Sequence, residues 1–400
     1  MVVGLYAGVV TLGILPSPFG DQAVSRQAIR QEMSSVVQEQ LADYLADLPS
    51  TQNETLRAAY EEGRRLQLEG YAAQDAEKHL EAIDRFSRAL RLAETDEQRA
   101  ALYVLRGNSY VQLGEFDAAE DDYVAALDVA LNFESETERD AARAAALNNL
   151  GVVYKDRGEL DKAEEHLKRA LDIQQRMGNR LGQAAALGNL GLVYADRGEL
   201  DRAEEHYNTA LAIDEEIGYR LGQAHNLGNL GNIYRRRGDL DRAEEYHKKA
   251  IAIDEEIGNR LGQAQELGNL GLVYRHRGEL DKAEDHHEKA LAIDQEIGYR
   301  LGQANQLGNL GNVYADRGEL DRAEEYYRKA LAIDEEIGNR LGQANQLGNL
   351  GLLHAQRGNG REALRYLRDA RRVFAEVGAS ADVKKTDDLI ETLEERLAER

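Results

Sequence analysis

The pentapeptide Leu-Asn-Asn-Leu-Gly at 147–151 returns as Leu-Gly-Asn-Leu-Gly beginning at residues 187, 227, 267, 307 and 347, a period of 40 without a slip. Residues 184–223 and 304–343 agree at 33 of 40 positions, so a whole folding unit is being repeated. That rules out counting domains from the chain length of 400. Each unit is one supersecondary element that must stack on its neighbours to bury an apolar face. Six regular units occupy 141–378. Two divergent ones precede them in 51–140: Gly107, Tyr110, Gly114, Ala119, Tyr123 and Ala126 repeat the spacing of Gly151, Tyr154, Gly158, Ala163, Leu167 and Ala170, and Gly63 is followed by Ala82, Phe86 and Ala89.

Each unit predicts two helices. With Ala184 as position 1, Leu187, Leu190, Val193 and Tyr194 recur at steps of three and four, the mark of one apolar helical face. Arg197-Gly198 ends that helix, since glycine accepts the left-handed conformation of a helix stop. Leu200, Ala203, Tyr207, Ala210, Leu211 and Ile213 define a second helix that ends at Gly218. Two helices of about 17 residues and two short turns fill 40 residues. The three prolines, Pro16, Pro18 and Pro49, all precede residue 50 and leave these helices uninterrupted.

Leu at position 4, Leu-Gly at 7–8, Tyr at 11, Gly at 15, Ala at 20, an aromatic or leucine at 24 and Ala at 27 resemble the tetratricopeptide repeat signature over about residues 59–378. The 40-residue period is similar to that of kinesin light chains and of cell-polarity adaptors that modulate G-protein signalling. The resemblance implies an all-α fold: a right-handed superhelical solenoid of antiparallel helix pairs whose concave groove binds peptides or partner domains.

The flanks differ from the array. Residues 1–20 are uncharged and apolar, without a basic start or small-residue cleavage site and short for a membrane span. They fit a mis-assigned start or a clipped anchor as well as a working one. A cytoplasmic protein is expected, with attachment to a membrane through 1–20 as the alternative. Residues 21–50 read as an amphipathic helix, Thr51 with Glu54 as a capping box, and 379–400 as a polar capping helix that covers the last repeat with Leu389, Leu393 and Leu397.

A net charge of −23 excludes nucleic acid as an expected partner. The absence of cysteine removes thiolate metal sites and cysteine nucleophiles. Arginine outnumbers lysine by 39 to 11, which fits either a high-salt cytoplasm or a GC-rich genome. The carboxylate pairs Glu164-Glu165, Glu204-Glu205, Asp214-Glu215-Glu216 and Asp254-Glu255-Glu256 read as solvated surface, because they recur once per unit on outward faces. His247 and His287, at position 24, read as packing residues, and histidines one repeat apart are too distant to share a metal. No phosphate loop or nucleophile elbow occurs. Neither cofactor, metal nor catalysis is expected.

Near-identical units disagree at positions 2, 3, 9, 12 and 13 of the first helix. Positions 2, 9, 12 and 13 share a stripe that the family's geometry places on the groove wall. His225, Asn232, Arg235, Arg236, Arg275, His276 and Asn312 belong to it. Neutral drift on an exposed face is the competing explanation. Position 6 never varies: Asn149, Asn189, Asn229, Asn269, Asn309 and Asn349. The resemblance implies that these asparagines line the groove and hold a ligand's backbone; recent duplication would also preserve them. Position 5 is glycine from Gly188 to Gly348, which points to close approach by a neighbouring helix or a ligand. The expected function is an adaptor that binds an extended peptide or partner protein. The alternative is a sensor module gating a separate effector chain. The arginines point to an acidic peptide or a free C-terminal carboxylate, unless they pair with Asp239 and Glu279 as surface salt bridges.

Overall fold

The computed structural model describes residues 50–73 and 76–398. The segments read from sequence at 1–20 and 21–49 lie outside these residues, as does the side chain of Thr51. The chain divides into two compact units, one ending at Gly262 and the other starting at Gln263. Within the first are α1 (Ser50–Ala73), α2 (Ala76–Leu92), α3 (Asp96–Gln112), α4 (Phe116–Ala130), α5 (Glu136–Asp156), α6 (Leu160–Arg176), α7 (Arg180–Asp196), α8 (Leu200–Ile217), α9 (Arg220–Arg237) and α10 (Leu240–Glu256). The second holds α11 (Arg260–His276, its first turn before the boundary), α12 (Leu280–Ile297), α13 (Arg300–Asp316), α14 (Leu320–Glu336), α15 (Arg340–Gln356), α16 (Gly360–Glu376) and α17 (Ser380–Ala398). Among the described residues there is no strand. Within each unit, consecutive helices pack as hairpins and hairpins pack on one another, so both units are all-α solenoid stacks.

The two helices of a pair, called A and B below, meet through the positions that the sequence pattern marks. In one pair, Leu190, Val193 and Tyr194 of A and Ala203, Tyr207 and Ala210 of B are at most 1 % exposed. Burying one large side chain of this kind contributes roughly 1.5–3 kcal/mol. The glycine at position 8 permits the close approach. A Cβ on Gly191 would lie 2.6 Å from the Tyr207 ring, and one on Gly311 would lie 2.5 Å from the Tyr327 ring. The A–B turn closes on a left-handed glycine such as Gly198, φ 80°.

At the C-terminal end, α17 lies against α16. Leu397 sits over Gly360, Val383 packs with Phe374 and Val373, and Arg371 pairs with Asp387. Among the described residues, no helix is long and apolar enough to cross a membrane.

Candidate functional site along the A helices

Successive A helices touch one another directly within each unit, so side chains at positions 5, 6, 12 and 13 meet those of the neighbouring pair. The asparagines of position 6 fall into two groups. Asn149 and Asn189 are buried, and their Nδ2 atoms donate to Asn108 Oδ1 (3.2 Å) and Asn148 Oδ1 (3.1 Å). The later A helices carry glycine at position 5, so no side-chain acceptor like Asn148 awaits the next asparagine. Asn229, Asn309 and Asn349 are half-buried. Asn269 is 7 % exposed, and its Nδ2 has no acceptor in the protein.

The same glycines admit the side chain at position 3 of the next A helix. A Cβ on Gly268 would lie 2.7 Å from Gln306 Nε2, and one on Gly308 would lie 3.0 Å from Gln346 Nε2. Packing by a neighbouring helix is therefore what position 5 accommodates.

The basic residues are engaged along this row rather than with the acids named from sequence. Arg275 Nε donates to Asp316 Oδ2 at 2.6 Å, Arg236 donates to the Ala195 carbonyl at 2.7 Å, and Arg235 donates to Asn232 Oδ1 at 3.3 Å. Asp239 is held by Arg242, and Glu279 by Lys282. Arg236 and His276 are exposed, whereas His225, Asn232, Arg235 and Arg275 are half-buried. Asn312 serves the fold: its Oδ1 accepts from the Tyr327 hydroxyl at 2.9 Å, as Asn108 accepts from Tyr123 at 2.7 Å. Where asparagine at position 9 faces tyrosine at position 24 it therefore serves the packing of its own hairpin. His247 and His287 are fully buried under Gly231 and Gly271, as packing residues.

The carboxylates correct the sequence reading. Glu164 and Glu204 are not solvated surface but lie in the joint between repeats. Tyr194 OH donates to Glu164 Oε1 at 2.7 Å, Arg197 binds Glu164 and Asp161, and the Arg202 guanidinium lies 3.8 Å from the Tyr194 ring centroid. Arg237 binds Glu204 and Asp201 in the same way. Burial raises the pKa of Glu164, but hydrogen bonds from Lys168, Tyr194 and Arg197 outweigh it and bring it down to about 2.

Asp214 and Asp254 are 2 % exposed, as are their equivalents Asp294 and Asp334 at 1 %; only the glutamates that follow them face solvent. Each sits at the other joint, where a B helix hands over to the next A helix, against the glycine of the Arg-Leu-Gly-Gln motif. A Cβ on Gly222 or Gly342 would lie 2.4 Å from the aspartate's oxygen. The glutamine of that motif donates to the aspartate's carbonyl: Gln223 to Asp214 at 2.9 Å, Gln303 to Asp294 at 3.1 Å, and Gln343 to Asp334 at 3.0 Å. Sequence reasoning missed this site, although its signal was present. Position 31 continues the buried stripe 20, 24, 27 at helical spacing, and the first and last regular units carry the buried Gln174 and Phe374 there.

The tetratricopeptide repeat profile matches residues 142–216, 220–296 and 302–376, and a second tetratricopeptide repeat profile matches 100–133. More than half of the sequence is thus covered, and the chain belongs to the tetratricopeptide repeat family. No curated protein sequence matches it. Among solved structures, it is similar to a Rap protein complexed with competence and sporulation factor, with TM-score 0.61 and 18 % identity over 94 % of this chain and 95 % of that one. It is also similar to the apo form of the quorum sensor NprR from B. thuringiensis (TM-score 0.56, 14 % identity, 92 % and 95 % covered). A third similar structure is aspartyl phosphate phosphatase F from Bacillus subtilis (TM-score 0.54, 13 % identity, 83 % and 93 % covered). At these identities the likeness is one of fold.

Proposed function

We propose that the A helices within each unit hold an extended peptide or a partner's unfolded segment, and that the protein acts by binding rather than by catalysis. Asn229, Asn269, Asn309 and Asn349 fix the ligand backbone, whereas Asn149 and Asn189 are engaged with Asn108 and Asn148. Each unit adds one basic step, Arg235 and Arg236 in the first and Arg275 and His276 in the second, suited to an acidic side chain or a free C-terminal carboxylate. The observation that carries this reading is Asn269, whose buried Nδ2 has no acceptor within the protein. Leaving such a donor unmade costs about 1–3 kcal/mol, and a peptide carbonyl would supply the acceptor. The likeness to the Rap protein complexed with competence and sporulation factor and to the quorum sensor NprR supports, as the second reading, a sensor that gates a separate effector chain.

Affinity capture from native lysate, followed by fluorescence anisotropy with the recovered acidic peptide as free acid and as C-terminal amide, tests the proposal. Asn269→Ala, and Arg235→Glu combined with Arg275→Gln, are expected to abolish capture with little change in melting. Glutamine at 275 avoids setting a second carboxylate beside Asp316. Equal capture by wild type and both variants overturns the groove reading.

A further inference from the structure

The four buried aspartates at the B-to-A joints differ in what the protein offers them. Asp334 accepts from Asn339 Nδ2 at 2.7 Å and also hydrogen-bonds with Gln346. Asp214 Oδ2 accepts from Asn226 Nδ2 at 2.8 Å, and Asp254 Oδ1 from Asn259 Nδ2 at 2.8 Å. Asp294 is as buried as any of them, and neither of its carboxyl oxygens has a hydrogen-bond partner.

Two local substitutions explain the difference. Where Asn259 and Asn339 both cap the next helix and serve the aspartate, Tyr299 stands instead and supplies no side-chain cap. Its ring closes over Gly302, where a Cβ would lie 2.3 Å from Tyr299 Cδ1 and 2.5 Å from Asp294 Oδ2. Gln306, the counterpart of Asn226 and Gln346, is drawn aside: its Oε1 accepts from His287 Nδ1 at 3.0 Å. Of the charged groups around the joint, Arg300 binds Glu336 and Gln303, Glu296 lies on the exposed turn, and buried His287 is kept neutral, its pKa lowered to about 4 by burial. None of them acts on Asp294, whose titration is set by burial.

We propose that Asp294 is held as a neutral acid in the folded array and that its ionisation loosens the α12–α13 joint, making this joint a pH-responsive hinge. A buried, ionised carboxylate without a hydrogen-bond partner is costly, and three sister joints show how the fold pairs such a group. The pKa values follow the same order. Burial raises all three of those resolved, to about 6 at Asp334 with two amide partners, about 7 at Asp214 with one, and about 8 at Asp294 with none. Because the folded value lies above the unfolded one, the stabilisation is complete below the unfolded carboxyl pKa of ~3.9. It is lost as pH rises to about 8.

Hydrogen exchange of the full chain, read by mass spectrometry at pH 6 and pH 9 and corrected for the intrinsic pH dependence of exchange, tests the hinge. Amides of 294–306 are expected to open on the order of tens of fold more often at pH 9, while those of 334–346 change less and Asp294→Asn removes the rise. Melting provides a second readout, in which the advantage of Asp294→Asn over wild type should grow between pH 6 and pH 9. A wild-type segment that gains no more exchange than the variant's, or a melting difference that does not vary with pH, overturns the proposal.

Discussion

At the C-terminal end of α13, Tyr314 and Arg317 reach back to Glu284 and Asp281, and Arg322 lies over the tyrosine ring at 3.9 Å. At the N-terminal end of the same helix, Gly302 and Tyr299 close over Asp294, an acid with no partner. One edge joins repeats through opposite charges kept partly in water, the other through glycine contact on a buried carboxyl group. The chain can afford a crowd of acidic residues at the first edge, because arginine at position 14 recurs to meet them. At the second edge the acid keeps its charge more easily the more amides reach it. The contrast shows that identical-looking Asp and Glu residues in one repeat perform opposite electrostatic tasks, and each edge can be broken separately.

The largest effect is expected from crowding the buried-acid edge. In Gly342→Val the new Cβ would lie 2.2 Å from Asn339 Nδ2 and 2.4 Å from Asp334 Oδ1, forcing apart a cap and a buried hydrogen bond at once. Overpacking of this kind costs about 1–3 kcal/mol, and loss of the Asn339 cap adds about 1 kcal/mol. Chemical denaturation should show the midpoint falling with little change in slope. A variant as stable as wild type would mean that the joint relaxes without strain.

Breaking the charged edge should cost less. Arg317→Ala removes the contacts to Glu284 and Asp281 but leaves the Tyr314 hydroxyl on Glu284. The arginine and Glu284 side chains are 16 % and 21 % exposed, so the loss is expected near 1–2 kcal/mol, above the ~0–1 kcal/mol of a fully exposed pair. It should shrink as salt is raised. A loss that is independent of salt would assign the joint to packing of the arginine stem rather than to charge.

The two edges respond to pH with opposite signs. At the charged edge, Glu164 has a folded pKa near 2. Its contribution is present above the unfolded value of ~4.3 and disappears as pH falls through 2. At the buried edge, the raised values of Asp334, Asp214 and Asp294, about 6 to 8, make stability fall as pH climbs from ~4 to about 8. Melting temperatures should therefore peak on the acid side of neutrality, between about pH 4 and 6. A plateau extending through pH 8 would place the buried aspartates in a wetter environment than their burial indicates.

The sequence made much of this architecture legible because the apolar positions of both helices recur at fixed spacing over six units. Position 24 under the glycine of position 8 needed only that pattern. What stayed hidden was polar. Asp214 continues a buried stripe but reads as one acid in an acidic run with Glu215 and Glu216, and the run masks the stripe. The groove residues were legible as a stripe but not in their attachments. Nothing in the string Leu-Gly-Asn-Val says that Asn312 answers the Tyr327 hydroxyl 15 residues on, or that Arg275 reaches Asp316 in the next repeat. Such partners are fixed by how the helices of one hairpin, and neighbouring hairpins, are set against each other, a distance the repeat period does not encode.

Between the two edges, the mid-helix glycines give the smallest effect and the finest discrimination. Gly348 lies inside α15, and a Cβ there would meet nothing within 4 Å. Alanine should stabilise by up to about 1 kcal/mol, the ordinary helix-propensity difference, read as a small rise in melting temperature. At Gly268 the same substitution places a Cβ 2.7 Å from Gln306 Nε2. That amide already accepts from His287 through its Oε1 and is 7 % exposed, so it has little room to yield. Gly268→Ala is therefore expected to give no gain or a small loss, even though both glycines occupy position 5. Equal gains at the two sites would show that the seam beside His287 and Asp294 is loosely packed, and would weaken the case that Gln306 is held away from the aspartate.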